Sequence, residues 1–420
     1  MIRFYRLESG IRVILEPVEH TEVASLGFWL LHGSRDEEES TRGFSHFLEH
    51  MLFKGTQKRT AYQIAQQIEQ VGGYLNAFTE KELTCFYCTL PADHCGLAVE
   101  VIADMITGSV LPEAEIEKEK QVVINEIVAI EDNPEEKGYE LYLGSLWNGH
   151  SLSQPITGEV RHIQRIGRRQ LMDFLRQRFV PANIVITAAG AVDAERFIDQ
   201  IQLQFDHGSW GSFKAPRQAP EGSAQWRIIG DKFEQIHLYA GTGFRASGDL
   251  SDYYRDLVFS TIVGESMSSR LFQRLREDEG LCYSVYTFRT YFSDTALWTI
   301  YANTVPESVP RLLSLLNEEL RRLAAEPPSE KEVADAKGQL KGNMVLAKED
   351  MENRMRRLFR QYLLTDKIIE QEAATAVLEA VSRADMAQVI ERWIKPNAFN
   401  LLAYGSKKLK RLGQTGFDLG

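Results

Sequence analysis

Cysteine is scarce in this sequence, with only Cys85, Cys88, Cys95 and Cys282 among 420 residues. So few thiols in a long chain argue against a fold that is held together by disulfides. Cys85 and Cys88 form a C-x-x-C pair, which raises the alternative of a metal site. The surrounding segment, LTCFYCTLP, is typical of a strand, and strand residues three apart point to opposite faces of the sheet. We therefore expect two buried cysteines rather than two converging ligands.

Positive charge is also in deficit, since 48 Lys and Arg residues stand against 59 Asp and Glu residues, for a formal net charge of −11. This balance argues against nucleic acid or an anionic membrane as partner, because both are bound through clustered positive charge. Long apolar runs are lacking, and the first residues, MIRFYRLESGIRVILEP, are typical of a strand and a turn rather than of a signal peptide or a membrane span. We expect a cytoplasmic protein.

The chain repeats itself. IGRRQLMDFLRQRFVPANIVITAAG, residues 166–190, aligns without a gap with VSRADMAQVIERWIKPNAFNLLAYG, residues 381–405. Each copy has the pattern of an amphipathic helix, a proline-marked turn and an apolar strand that ends in glycine. A weaker match relates the stretches that begin at Val23 and Gln235. A repeat unit this long indicates a duplicated domain rather than a solenoid.

We predict two domains, at residues 1–210 and 225–420, joined by a linker at 211–224. A chain of 420 residues is too long for one compact core, and Gly, Ser and Pro accumulate around the linker. Strands and long helices mix in each half without a regular βαβ alternation. The predicted fold class is therefore α+β, with two duplicated domains that are each a largely antiparallel sheet with helices packed on it.

The motif H-x-x-E-H lies within GFSHFLEHMLFKGT, residues 43–56. On a helix, His46 and His50 lie one turn apart on the same face, so their rings can reach one ion. Zinc favours imidazole and carboxylate ligands, and Glu49 flanks the same face, where it can take a proton from water at the metal. This order of residues marks the inverzincins. The alternative is an ordinary amphipathic helix with the histidines on its flank.

Two histidines do not complete a catalytic zinc shell, so a third ligand is needed. Glu126 is the candidate, because it stands alone among apolar residues of the predicted helix EIEKEKQVVINEIVAIEDN, where an unpaired carboxylate would be costly to bury. Glu119 lies seven residues earlier, on nearly the same face. One carboxylate can then bind the ion while the other steadies a ligand. For Glu119, a solvated surface charge is the alternative.

With these residues in view, the sequence resembles the inverzincin peptidases typified by pitrilysin, insulin-degrading enzyme and the mitochondrial processing peptidase. The stretch GSRDEEESTRGFSHFLEHMLFKGT is similar to the zinc-helix signature of that family almost residue for residue, and the likeness is greatest to short bacterial members related to the processing peptidase. The resemblance implies a processing-peptidase-like metallohydrolase fold with one Zn²⁺ per chain. It makes His46, His50 and Glu126 the ligands. It makes Glu49 the general base and Glu119 the support of the ligand shell.

Two further segments carry the resemblance. GGYLNAFTEKELTCFY resembles the strand on which family members bind an extended peptide by strand addition. The matching residues are Asn76, Ala77, Phe78 and Thr79. SSRLFQRLREDEGLCYSVYTF resembles an element whose arginine and tyrosine, here Arg276 and Tyr283, bind substrate carbonyls or the developing oxyanion. Without the resemblance, Arg276 is a surface charge and Tyr283 a core residue.

These likenesses imply a zinc metalloendopeptidase that cleaves unfolded peptides or oligopeptides inside a dimeric chamber. Long family members have four such domains and this chain has two, so a homodimer is implied. In that homodimer Arg276 and Tyr283 serve the zinc site of the other protomer. Two alternatives stay open: a non-catalytic, chamber-forming or peptide-binding subunit of the same family, and a metal-dependent hydrolase of small molecules.

Overall fold

The structure, a computed structural model, describes residues 1–205, 213–214, 216–222, 224–394 and 399–411. The described chain divides into two compact units that are each assembled from three separate segments. The first unit comprises Met1–Val128, Gln154–Arg217 and Val345–Glu370, and the second comprises Ala129–Ser153, Gln218–Met344 and Gln371–Gly420. The predicted domain boundaries stay a prediction. Part of the predicted linker, at positions 211, 212, 215 and 223, lies outside the described residues.

A six-stranded sheet forms the centre of the first unit. Its strands are β1 (Arg3–Arg6), β2 (Arg12–Pro17), β3 (Val23–Leu30), β4 (Tyr74–Thr79), β5 (Thr84–Pro91) and β6 (Ile184–Gly190). Their order across the sheet is β1-β2-β6-β3-β5-β4, so β4 lies at an edge. Neighbouring strands pair antiparallel except β2 and β6, which run parallel.

The second unit contains a five-stranded sheet of related design. Its strands are β7 (Trp226–Asp231), β8 (Ile236–Phe244), β9 (Val285–Tyr291), β10 (Ala296–Thr304) and β11 (Asn400–Ser406), in the order β7-β11-β8-β10-β9. Here too one pair, β7 with β11, runs parallel among antiparallel neighbours. The predicted α+β class with largely antiparallel sheets is confirmed.

Helices connect and cover these strands. They are α1 (Phe44–Leu52), α2 (Ala61–Glu69), α3 (Cys95–Gly108), α4 (Glu113–Asp132), α5 (Pro134–Leu146), α6 (Val160–Gln164), α7 (Arg168–Arg178), α8 (Ala194–Phe205), α9 (Leu250–Val263), a π-helix (Phe272–Asp278), α10 (Val309–Ala325), α11 (Glu330–Ala347), α12 (Met351–Thr365), α13 (Gln371–Ala380) and α14 (Arg383–Trp393). Among the described helices, none combines the length and the apolar character needed to cross a lipid bilayer.

The repeat seen in the sequence is a repeated helix and strand. Helix α7 and strand β6 correspond to α14 and β11. Each strand has a glycine with positive φ at its C-terminal end: Gly190, the last residue of β6, with φ +121°, and Gly405, the next-to-last residue of β11, with φ +140°. A Cβ on Gly190 would lie 2.1 Å from the carbonyl oxygen of Val23, and one on Gly405 would lie 2.0 Å from that of Gln235. Only glycine adopts this backbone and permits this close approach.

Each sheet is covered on one face by a helix from the other half of the sequence. Helix α12 belongs to the first unit, where Phe359 stacks on Trp29 with ring centroids 4.0 Å apart and interplanar angle 3°. Helix α5 belongs to the second unit, where Tyr142 stacks on Tyr239 at 5.7 Å. Because an apolar sheet face must be buried against another element, these helices complete the two cores.

The C-x-x-C pair lies on β5 with the two thiols on opposite faces of the first sheet. Cys85 packs with Trp29 and Phe359 beneath α12, whereas Cys88 packs in the core on the other side, and both are fully buried. Burial raises the pKa of Cys85, and it raises the pKa of Cys88 to about 12. The prediction of buried cysteines that do not share an ion is confirmed.

We expect the substitution Phe359→Ala to destabilise the first unit by roughly 3–5 kcal/mol, since it removes a stacked aromatic ring from a filled core. The measurement is hydrogen exchange, which should accelerate in β3 and β6. Tyr62→Ala is the matched control, because that ring is 70% exposed. Exchange rates in β3 and β6 that match those of the unsubstituted protein would contradict a stabilising role for α12.

Candidate metal centre

Helix α1 is amphipathic, and its apolar face is part of the core of the first unit. Five of its side chains are at most 3% exposed, namely Phe44, Phe47, Leu48, Met51 and Leu52. The opposite flank carries His46, Glu49 and His50, and the two imidazole rings lie 4.6 Å apart between centroids. The buried apolar stripe and the pair of histidines, which the sequence left as alternatives, therefore occur together on one helix.

Helix α4 brings Glu126 to the two histidines. The Nε2 atom of His46 lies 3.5 Å from Oε1 of Glu126, and the Nε2 atom of His50 lies 3.7 Å from Oε2. One ligand atom from each of the three residues can be chosen so that all lie within 4.8 Å of one another. The contact with His46 lowers the pKa of Glu126, although partial burial opposes it, so the carboxylate is kept ionised.

The donor set and its spacing fit a zinc ion. Bonds of about 2.1 Å in a tetrahedral shell place two ligand atoms about 3.4 Å apart, close to the separations of Glu126 from each imidazole. Two neutral imidazoles and one carboxylate are a ligand set that catalytic zinc sites use, with the fourth position left for water or substrate. In the part of the chain that the structure describes, this group of residues is the one arranged to bind an ion.

Glu119 lies behind His50 rather than beside Glu126. Its Oε1 atom is 2.9 Å from Nδ1 of His50, and its Oε2 atom is 2.7 Å from Nζ of Lys54. Burial alone would raise the pKa of Glu119, but the hydrogen bonds from Lys54 and His50 outweigh it, and the pKa is lowered. An ionised Glu119 accepts the Nδ1–H of His50, which leaves the Nε2 lone pair of that ring facing Glu126.

The carboxylate of Glu49 is held from the neighbouring strand. Thr79, the last residue of β4, donates a hydrogen bond of 2.6 Å from Oγ1 to Oε2 of Glu49. The side chain of Thr79 therefore contacts the acid of the H-x-x-E-H motif directly. The sequence stretch around Thr79 had suggested only main-chain pairing with a peptide.

Among the described residues, no strand pairs with the outer edge of β4. Glu80 donates its N–H to the carbonyl of Leu83, which closes the hairpin to β5. By antiparallel alternation, Asn76 and Phe78 then bond to β5, while the main-chain groups of Ala77 and Thr79 face outward. The side-chain oxygen of Asn76 accepts the N–H of Ala77 at 2.8 Å. Of the four residues named from the sequence, two thus present their backbone to the open edge.

Arg276 and Tyr283 meet in the second unit. Arg276 lies in the π-helix, with its guanidinium carbon 5.3 Å from the ring centroid of Tyr283 and 4.7 Å from that of Phe272. Tyr283 is 75% exposed, so it is not a core residue. π-helical turns are rare and occur frequently at functional sites.

Two residues near this centre, Lys54 and Glu37, were missed in the sequence, as was the role of the Thr79 hydroxyl. Lys54 follows His50 by four residues, a helical spacing that would have signalled it. The hydroxyl of Thr79 carried no signal of its own, because hydroxyl groups end many strands. Glu37 accepts N–H groups at the start of α1 from a loop, where no periodicity applies.

Comparison with known proteins places the chain among peptidases. Residues 12–160 match the family described as Insulinase (Peptidase family M16), and residues 165–340 match the Peptidase M16 inactive domain. An uncharacterized zinc protease of Streptomyces coelicolor is 33% identical over 92% of this chain and 86% of its own length. The uncharacterized zinc protease YmxG of Bacillus subtilis is 34% identical over 87% of this chain and 89% of its own length.

Solved structures show the same fold. A protease from Helicobacter pylori superposes with a TM-score of 0.88 at 19% identity, over 96% of this chain and 99% of that one. A peptidase M16 inactive domain from Pseudomonas fluorescens gives a TM-score of 0.88 at 18% identity, over 97% and 98%. Since the family profiles cover most of the sequence and the relatives exceed 30% identity over nearly all of it, the chain belongs to the insulinase family of peptidases, family M16.

Proposed function

We propose that this protein is a zinc-dependent endopeptidase that cleaves unfolded peptides. The observation that carries the proposal is the convergence of His46, His50 and Glu126 at separations suited to one zinc ion. The relatives named as zinc proteases support the same activity. One ion per chain is proposed, in the first unit, since the described residues offer one such group.

The proposed chemistry assigns a separate task to each residue of the centre. His46, His50 and Glu126 hold the zinc, which when bound supplies a Lewis acid that acidifies water and polarises a carbonyl group. Glu49 takes a proton from the attacking water as the oxygen bonds to the scissile carbon. It then returns that proton to the amine nitrogen as the C–N bond breaks. Glu119 orients the ring of His50.

The open edge of β4 is the proposed peptide-binding surface. The outward main-chain groups of Ala77 and Thr79 can pair with an extended peptide by strand addition, and this mode of binding requires an unfolded segment. Asn76 and Phe78 bond to β5 instead, and the ring of Phe78 packs edge-on against Trp29. Because the hydroxyl of Thr79 also contacts Glu49, a peptide paired there lies next to the proposed base.

Arg276 and Tyr283 are proposed to act on the zinc site of a second copy of the chain. Their exposure and mutual contact support a pair that is directed at a ligand outside its own unit. Hydrogen-bond donors of this kind stabilise the oxyanion that develops during acyl transfer. A homodimer in which two chains enclose a chamber satisfies this arrangement, with closed two-fold symmetry giving two equivalent sites.

Replacing Glu126 by Gln should abolish zinc binding and peptidase activity together, because one of three ligands loses its charge. The measurements are zinc content after dialysis and cleavage of a fluorogenic peptide. Glu117→Gln is the matched control on the same helix, since that side chain is 66% exposed and paired only with Lys120 among the described contacts. Full zinc content in the Glu126→Gln protein would refute the ligand assignment.

Replacing Glu49 by Gln should leave zinc content unchanged and lower kcat by about 10²–10⁴-fold, because a general base is lost while the three ligands stay. Peptide cleavage and zinc content are measured on the same preparation. Normal turnover by the zinc-loaded Glu49→Gln protein would exclude this residue as the base.

Co-expressed Glu49→Gln and Tyr283→Phe chains test action across the dimer. Each variant alone should be nearly inactive. If the chains pair at random, about half of the dimers are mixed, and one of the two sites in a mixed dimer has Glu49 from one chain and Tyr283 from the other. About one quarter of all sites should therefore be active. Differently tagged chains allow the mixed dimer to be purified and assayed. Mixed dimers without recovered activity would contradict the arrangement.

A further inference from the structure

Helix α1 begins without a capping side chain at its own N-cap. Gly43 occupies that position with φ +82° and has no side chain to accept the free N–H groups of the first turn. Glu37, six residues earlier, takes over this task. Its Oε2 accepts the N–H of Gly43 and its Oε1 accepts the N–H of Ser45, each at 2.7 Å. A carboxylate at this end of a helix is also favoured by the helix dipole.

The two imidazoles of the metal centre differ in what orients them. His50 donates through Nδ1 to Glu119, which fixes its ring. The Nδ1 atom of His46 is buried and has no hydrogen-bond partner among the described residues. Besides the contact of its Nε2 with Glu126, the direction of the His46 ring therefore depends on the backbone from which it projects. That backbone is the first turn of α1, where Glu37 binds on both sides of Phe44.

The loop that carries Glu37 is itself attached to the hairpin between β4 and β5. Ser34 donates its N–H to the carbonyl of Glu80 at 3.2 Å, and Arg35 donates to that of Lys81 at 2.7 Å. A Cβ on Gly33 would lie only 2.3 Å from the Glu80 carbonyl oxygen, so the two segments are in direct backbone contact.

Buried ion pairs reinforce this attachment. Arg35 pairs with Glu82 in the hairpin, and both side chains are at most 5% exposed. Arg217 bonds to both carboxylate oxygens of Asp36, at 2.8 and 2.7 Å, and to the carbonyl of Glu82 at 2.9 Å. Because two-pronged contacts of this kind fix geometry as well as distance, the loop has little freedom to shift. The hairpin and the start of α1 are thus connected through residues 33–37.

We propose that Glu37 is a positioning residue of the metal centre, which sets the first turn of α1 and thereby the ligand geometry of His46. The same loop connects that turn to the hairpin at the end of β4. This inference rests on the proposed function, because it takes His46 as a zinc ligand. Glu37 contacts neither the metal nor the peptide in this role and acts through Gly43 and Ser45.

Glu37→Gln tests the proposal through zinc affinity, measured by competition with a chromophoric chelator. A Gln side chain has one acceptor oxygen and an NH₂ group, so one N–H of the first turn loses its partner. We expect affinity to fall about 10- to 100-fold, the usual cost of removing a group that orients a ligand. Glu38→Gln is the matched control, since it makes the same substitution at the adjacent exposed residue. Unchanged affinity in Glu37→Gln would overturn the proposal.

Glu37→Asp distinguishes the reach of the side chain from its chemical group. This variant also replaces Glu37→Gln in the test if the Gln protein does not fold. The shorter side chain keeps the carboxyl group but cannot reach both N–H groups, so a loss of zinc affinity in this variant reflects the geometry of the contact. Affinity equal to that of the unsubstituted protein would count against positioning by Glu37.

Hydrogen exchange of the metal-free protein distinguishes failure of this proposal from failure of the proposed function. Amides of residues 43–46 should exchange faster in Glu37→Gln than in Glu38→Gln, whether or not zinc binds. If the unsubstituted protein binds no zinc, the proposed function fails. If zinc binds and the exchange rates of residues 43–46 are alike in both variants, the function stands and the role of Glu37 is refuted.

Discussion

The metal centre depends on the burial of two amphipathic helices in one core. Helix α1 buries Phe47 and Met51, and α4 buries Val123 and Ile127, all in the apolar cluster of the first unit. Neither helix can rotate about its axis without exposing these side chains, at a cost of about 1.5–3 kcal/mol for each one. The flanks that remain carry polar groups, and they face each other. Hydrophobic packing therefore sets where the imidazoles and carboxylates meet.

Electrostatic interactions then set the protonation state of Glu119. Glu119 is almost fully buried, yet its pKa is lowered, because Lys54 and His50 both donate to it. An ionised buried carboxylate is tolerated only with such partners. Because Glu119 accepts the Nδ1–H of His50, the Nε2 atom of that ring keeps its lone pair. Lys54 is thus connected to His50 through the carboxylate of Glu119.

The two sheets share a design but differ at the edge strand. In the first sheet, the side chain of the neighbouring Asn76 is the partner that the described residues give to the outward N–H of Ala77. In the second sheet, the outward N–H of Thr287 on β9 bonds to the carbonyl of Gly264, and a Cβ on that glycine would meet Thr287 at 2.6 Å. The edge of β9 is therefore closed at this point by the end of α9. The two edge strands thus differ at this position, since β9 is covered at Thr287 by the residue that follows α9.

Features that depend on neighbours in the chain were determined by the sequence alone. The spacing of His46 and His50 follows from helical geometry, the separation of Cys85 and Cys88 from strand geometry, and the repeated helix and strand from a gapless match. Contacts between distant segments were decided by the tertiary structure. These include the contacts of Glu119 with His50 and Lys54, the bond from Thr79 to Glu49, and the placement of α5 in the second unit and of α12 in the first. Local periodicity says which face of an element is apolar, but only the packed core selects which other element covers it, because any apolar surface of suitable shape satisfies the same hydrophobic demand.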